Sequence, residues 1–271
     1  MAKEITPQAR VALARAPERP NIREYIDALF QDFFEIHGDR YYADDKPILC
    51  GMAFFEGRPV TVAGHLKGRS LEQNIACNFG MPNPEGYRKF QRAVLQAEKF
   101  GRPIITFIDT PGAYPGKQAE ERGQGEAIAR CLHILSNIKV PVLAIVTGEG
   151  GSGGALALGV ADRIIMLENA VYSVLSPEGF ASILWKEPSR SAEACEIMKL
   201  TAEDLLGFGI ADRIVSEPKG GAGKKPKAVM ESLRRVISEE LSELCKLDTA
   251  TLVGRRYEKY RKIGCLNREN K

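Results

Sequence analysis

Two stretches of this sequence share one grammar: a short apolar run, a turn made largely of glycine and proline, then helix formers. The first is PIITFIDTPGAYPG at 103–116; the second is PVLAIVTGEGGSGG at 141–154. Apolar runs without polar alternation, bounded by turn residues, are strands buried on both faces. Strand, turn and helix occurring twice predict an α/β fold, with helices against mainly buried sheets. The pattern alone does not separate a doubly wound sheet from a spiral of short ββα units.

The rest of the chain is read in the same way. Residues 48–55 and 58–67 are two strands joined at Glu56-Gly57, a hairpin signal. Ile22, Tyr25, Ile26, Leu29, Phe30, Phe33 and Phe34 fall at helical spacing. They predict one amphipathic helix over 21–37, its aromatic face turned to the core or to a partner subunit. Residues 80–86 are a turn-rich loop, and 87–100 and 119–137 are helices. Residues 153–159 form a short helix of small residues, followed by strands at 163–167 and 171–174. The basic, glycine-rich 219–227 segment is a solvated loop, and 228–247 and 251–263 are terminal helices. With three prolines and several charges, residues 1–20 are expected to form a loose arm. The division is then an arm over 1–20, a main domain over 21–248 and a C-terminal helix over 249–271.

Composition narrows the chemistry. The 271 residues are enough for a large core. A net charge of +3 is too small to argue for nucleic acid. No apolar run approaches the roughly 20 residues that cross a bilayer. The N-terminal MAKEITP has no signal-peptide core, so a cytoplasmic protein is expected. Cysteines at 50, 77, 131, 195, 245 and 265 and histidines at 37, 65 and 133 lack metal-site spacing. The cysteines are therefore read as reduced, small apolar residues, and His133, within a helix, as packed rather than catalytic.

Glycines let backbone N–H groups face a ligand, and a following helix adds its N-terminal partial positive charge. Such a turn binds negative charge. A P-loop is excluded because no Lys-Ser or Lys-Thr follows the glycines. Gly148, Gly150 and Gly153 match GxGxxG after a strand, and Glu168 lies 20 residues on, so a dinucleotide site is one reading. The other is an oxyanion site with N–H donors from both turns. No Ser-His-Asp set or GxSxG motif is present. Only Glu120, Glu121 and Glu149 could serve a self-contained hydratase or decarboxylase as acid or base. A non-catalytic binding subunit is the remaining alternative.

Longer strings carry a resemblance. They are HGDR at 37–40, ADDK at 43–46, GHLKGR at 64–69, NFGMP at 78–82, PEGYRK at 84–89, IITFIDTPGAYPG at 104–116, AEERGQ at 119–124, GEGGSGGALAL at 148–158, YSVLSPEG at 172–179 and ASILW at 181–185. From Leu13 to Gly264 the sequence resembles the carboxyltransferase α-subunit family of bacterial-type acetyl-CoA carboxylase. The resemblance implies a crotonase-like spiral of ββα units with flanking helices. It implies oxyanion holes from the amides of Gly153, Gly154 and Ala155 and, on the facing turn, Gly112 and Ala113. Tyr114, Gly116, Gly150, Gly151 and Ser152 would line the substrate.

It further implies biotin as cofactor, held covalently on a separate carrier, and no metal on this chain. The implied partners are a zinc-binding β subunit in an α2β2 assembly, the biotin carboxyl carrier protein and biotin carboxylase, with no nucleic acid and no membrane. The implied reaction moves a carboxyl group to acetyl-CoA to give malonyl-CoA, the first step of fatty acid synthesis. Two departures stand out. Residues 74–77 are Asn-Ile-Ala-Cys where the family often has basic residues, and the family's EPxGGAH is EPKGGAG at 217–223, with Gly223 in place of histidine.

Overall fold

The computed structural model describes residues 5–265. Its strands are β1 (Gln31–Glu35), β2 (Ile48–Phe55), β3 (Arg58–His65), β4 (Ile104–Thr110), β5 (Val142–Gly151), β6 (Arg163–Leu167), β7 (Val171–Ser173) and β8 (Arg213–Val215). The main order is β1-β2-β3-β4-β5-β6-β8. The first three strands are antiparallel and the rest parallel. Glu56 and Gly57 have φ of 49° and 77°, the left-handed pair that a two-residue hairpin turn needs to match strand twist.

Both faces of the central strands are covered, as their apolar runs predicted. Thr106 Oγ1 donates to the Leu158 carbonyl on helix Ser152–Gly159. The next residue, Phe107, stacks on Tyr25 of helix Ile22–Leu29 with ring centroids 5.3 Å apart. Successive strand residues point to opposite faces, so these helices lie on opposite sides of β4. The strand β5 does more than its apolar run suggested. Leu143 to Val146 pair with β6, and Glu149 to Gly151, beyond a register shift, pair with β7. The chain thus turns from one strand set into another within a single strand, carrying the second glycine turn with it.

Several expectations need correction. The helix expected over 21–37 stops at Leu29. Asn21 and Glu24 form its capping box, Phe30 is already extended, and 31–35 becomes the edge strand β1. Backbone pairing with β2 outweighs the helical spacing of Phe33 and Phe34, and Phe34 is left 65% exposed. The helix expected over 119–137 is two helices, Lys117–Glu121 and Gln124–Asn137, broken at Gly123 with φ 85°. Helices Pro177–Trp185, Ser191–Met198 and Ala202–Gly207 and the strand β8 have no counterpart in the sequence reading.

The loose arm is in fact a helix, Pro7–Ala14, capped by Thr6 and burying Val11 and Ala14 in a cluster with Val171, Cys195 and Leu200. Nor is 219–227 simply a solvated loop. Ala222 is fully buried, and a side-chain carbon on Gly223 would collide with the backbone carbonyl of Glu18. Glycine here allows close backbone approach, which composition alone cannot tell from flexibility.

Helix Thr249–Lys262 docks through a buried ion pair. Arg256, 1% exposed, donates to Asp162 at 2.9 and 2.7 Å and to the carbonyls of Leu135, Ile138 and Val140. Asp162 also accepts the Val142 N–H at the start of β5. Removing one partner strands a buried charge, so Arg256→Ala should lower unfolding free energy by about 3–5 kcal/mol in urea denaturation. A loss below about 1 kcal/mol would contradict this account.

Candidate active site

The two glycine turns touch. A side-chain carbon on Gly154 would lie 2.7 Å from the Ala113 nitrogen and 2.7 Å from the Gly112 carbonyl carbon. One on Gly151 would collide with the Pro111 carbonyl. Only glycine fits at these points. The base of the first turn is fixed by Thr110, which pairs with Gly150 across the ladder. Thr110 Oγ1 accepts the Gly112 N–H at 3.0 Å and donates to the Gly112 carbonyl at 2.8 Å. Gly112 has φ 149°, outside the range of ordinary side chains.

The structure sorts the expected site residues. Ala113, Tyr114, Gly116, Ser152 and Gly153 are partly exposed, whereas Gly112, Gly150, Gly151, Gly154 and Ala155 are buried. The Gly112 amide does not fit its expected role as a donor, because it is buried and its N–H donates to Thr110 Oγ1, whereas Gly153, which also meets a hydroxyl, is partly exposed. Ala155 is corrected on similar grounds: helix geometry commits its N–H to the cap carbonyl of Gly151. Gly150 and Gly151 face Tyr172 and Pro111 rather than open space. That leaves the amides of Gly153 and Gly154 in the first helical turn, and that of Ala113 opposite. Ala113 N–H makes no hydrogen bond among the described residues, and Gly153 N–H has only the neighbouring Ser152 Oγ at 2.6 Å.

A chain of alternating charges braces the turns from behind. Asp109 Oδ1 accepts from Lys67 Nζ at 2.7 Å and from the Glu149 N–H at 3.0 Å, linking the ends of β4 and β5. Glu149 also lies 3.7 Å from Lys67 and 2.7 Å from Arg15, and Arg15 reaches Glu178 at 2.7 Å. Burial works against the charge on Arg15, but Glu178 and Glu149 outweigh it and push its pKa up; Arg15 in turn holds Glu178 low. Glu149 is therefore a bracing group rather than a free base, and Glu121 faces Lys117 at the surface. Sequence reasoning missed Lys67, Asp109 and Arg15. The position of Asp109 directly before the first turn was the available signal.

The dinucleotide reading fails on the same geometry. A side-chain carbon on Gly148 would strike the Asp109 carboxylate, and one on Gly150 the Tyr172 ring. These glycines admit the chain's own side chains, not a pyrophosphate. Glu168 accepts the Glu217 N–H at 2.8 Å, so its carboxylate is engaged within the chain. The histidines are also reassigned. His133 is exposed on its helix, while His65, at the end of β3, is 1% exposed.

This α/β chain presses one glycine turn against a second at a helix N-terminus, a crotonase-like arrangement. Its fold is shared with the crystal structure of transcarboxylase 12S: TM-score 0.68, 19% identity, 90% of this chain and 46% of that one. It is also shared with the Pseudomonas malonate decarboxylase MdcD-MdcE hetero-dimer: TM-score 0.64, 19% identity, 79% of this chain and 88% of that one. At such identities the likeness concerns the fold alone. The family model described as acetyl co-enzyme A carboxylase carboxyltransferase-like matches residues 1–264. The chain is 55% identical to the acetyl-coenzyme A carboxylase carboxyl transferase subunit alpha of Clostridium acetobutylicum, covering 97% of this chain and 96% of that one. It is 56% identical to the corresponding subunits beta/alpha protein of Natranaerobius thermophilus, covering 97% of this chain but only 43% of that one. This chain belongs to the acetyl-CoA carboxylase carboxyltransferase family.

Burial lowers the pKa of His65 to about 4, so it stays neutral in the fold. Between pH 6.5 and 4 the unfolded chain binds the proton that the folded chain refuses. Stability from this group is therefore present above pH 6.5 and lost as pH falls towards 4, by up to about 3 kcal/mol. Burial raises Asp45 to about 6, and that works in the opposite sense over part of the range. The difference between wild type and His65→Gln isolates the histidine: denaturation across pH 4–7 should be flatter on the acid side for the variant. Parallel curves would rule this out.

Proposed function

We propose that this chain is the α half of a biotin-dependent carboxyltransferase that carboxylates acetyl-CoA to malonyl-CoA, the first step of fatty acid synthesis, in a site completed by a β-type chain. The observation that carries the reading is the contact of Gly154 with Gly112 and Ala113. It brings the free amide of Ala113 and those of Gly153 and Gly154 to one seam. Preorganised N–H donors of this kind stabilise negative charge as it develops.

The cofactor test is what the seam offers. Biotin needs donors for its ureido oxygen and no protein base; these turns supply backbone amides, the Glu149 carboxylate beside them is held by Arg15 and Lys67, and the His65 ring behind Gly154 is buried. Biotin, held on its separate carrier protein, would supply the carboxyl group and the base for the acetyl methyl proton. The residues of this chain bind and orient. Ala113, Gly153 and Gly154 donate to the ureido oxygen, Tyr114, Gly116 and Ser152 border the approach, and the chain from Asp109 to Arg15 keeps the turns in register. The β-type partner would hold most of the acetyl-CoA and shut out water. The Natranaerobius relative, named as beta and alpha subunits together, supports such a partner.

Purified alone, this chain should form no malonyl-CoA from carboxybiotin and acetyl-CoA; adding a β-type chain should restore transfer. Gly154→Val in the assembled complex should lower kcat by at least about 100-fold, with assembly retained on size-exclusion chromatography. Full turnover by the isolated chain, or by the assembled variant, would overturn the proposal.

A further inference from the structure

Five buried side-chain polar atoms lack a hydrogen-bond partner among the described residues: Tyr25 Oη, both ring nitrogens of His65, Tyr87 Oη and Gln124 Oε1. Apart from Tyr25, which stacks on Phe107 across the sheet, these residues surround the turns. The imidazole of His65 lies beside the backbone of Gly154. Gln124 uses its other amide atom to hold the Tyr114 carbonyl at 2.9 Å. Tyr87, on helix Pro84–Lys99 and 0% exposed, brings its hydroxyl to 3.1 Å from where a side-chain carbon on Gly154 would stand. The Ala113 nitrogen lies 2.7 Å from that same point. The phenol is therefore set at the contact between the two turns, on the side away from solvent.

A buried hydroxyl without a partner is a liability for the fold, since phenylalanine fills the same space with no polar atom to desolvate. Stability does not explain the tyrosine here; the seam does. The remaining argument rests on the oxyanion reading of the turns. An anion drawn to the Ala113 amide pulls that peptide towards Gly154. A hydroxyl beside the contact gives the shifted peptide a hydrogen-bond partner, which a bare ring edge cannot. We propose that Tyr87 is a positioning residue, whose hydroxyl, unpaired at rest, bonds the seam between Ala113 and Gly154 when charge develops there. It does not touch substrate, because the two turns cover it. Burial keeps the phenol well above its usual pKa and therefore protonated.

The test is Tyr87→Phe in the complex with a β-type chain. Turnover should fall by about tenfold or more, in line with loss of support for one oxyanion donor. The KM for acetyl-CoA should stay within twofold, and the melting temperature should be unchanged or higher. A kcat within twofold of wild type would overturn the inference. So would a lower melting temperature, because the hydroxyl would then be paired in the resting protein. Amide hydrogen exchange with biotin added to the complex gives a second readout: Ala113 and Gly154, which the hydroxyl leaves unbonded at rest, should be less protected by biotin in the variant than in wild type, and equal protection also counts against it. A wild-type complex that makes no malonyl-CoA would sink the proposed function instead, leaving the exchange measurement as the judge of Tyr87.

Discussion

The backbone contact between Gly154 and the Gly112-Ala113 peptide is the constraint around which this chain is arranged. Two buried parallel strands must end side by side, and both must release into turns bare of side chains at the point of contact. That requirement accounts for features that look unrelated in isolation. The strand β5 runs on past the main sheet so that Glu149, Gly150 and Gly151 can pair with β7. Thr110 holds the first turn by both polar atoms of Gly112. Gly148 is bare because the Asp109 carboxylate fills its side-chain space on the way to the Glu149 amide.

Backbone contacts of this kind are exact in shape but have no charge to hold them, and charge enters one layer behind. Asp109, Lys67, Glu149, Arg15 and Glu178 alternate in sign across five segments of the chain. The partial burial of Lys67, Asp109 and Glu149 makes a missing partner costly. The chain of pairs also explains how residues 7–19 are held against the site. Arg15 ties helix Pro7–Ala14 to the second turn, and Arg19 bonds the Thr147 carbonyl and pairs with Glu217. The N-terminal segment is therefore part of the support of the site rather than an appendage.

What could be read from the sequence follows the reach of each signal. The runs at 104–110 and 142–147 and the hairpin at Glu56-Gly57 are local, and they were legible. The glycines suggested a site for negative charge because absent side chains are visible in a sequence. They could not tell which atoms use the space, so GxGxxG suggested a dinucleotide where Asp109 and Tyr172 in fact sit. Gly112 and Ala155 looked like donors, and only hydrogen-bond geometry removes them from the set. Phe33 and Phe34 kept helical spacing although backbone pairing with β2 draws them into a strand. The buried polar residues beside Gly154, His65 and Tyr87, gave no signal, because a lone polar residue reads the same whether or not it finds a partner.

On the proposed reading, a site made of amides also suits a chain that works as half of an enzyme. Backbone N–H groups do not titrate and cost no reorganisation when charge appears, so their placement is a property of the fold. What they lack is exclusion of water, which weakens every dipole at an open face. Ala113 and Gly153 stand partly exposed, and the charge chain behind them braces the turns without covering them. On the proposed reading, a second chain closing over this face would lower the local dielectric at the moment substrate is enclosed. The donors would then gain strength only in the complete assembly, and the division of the site between two chains would itself guard against unproductive decarboxylation in water.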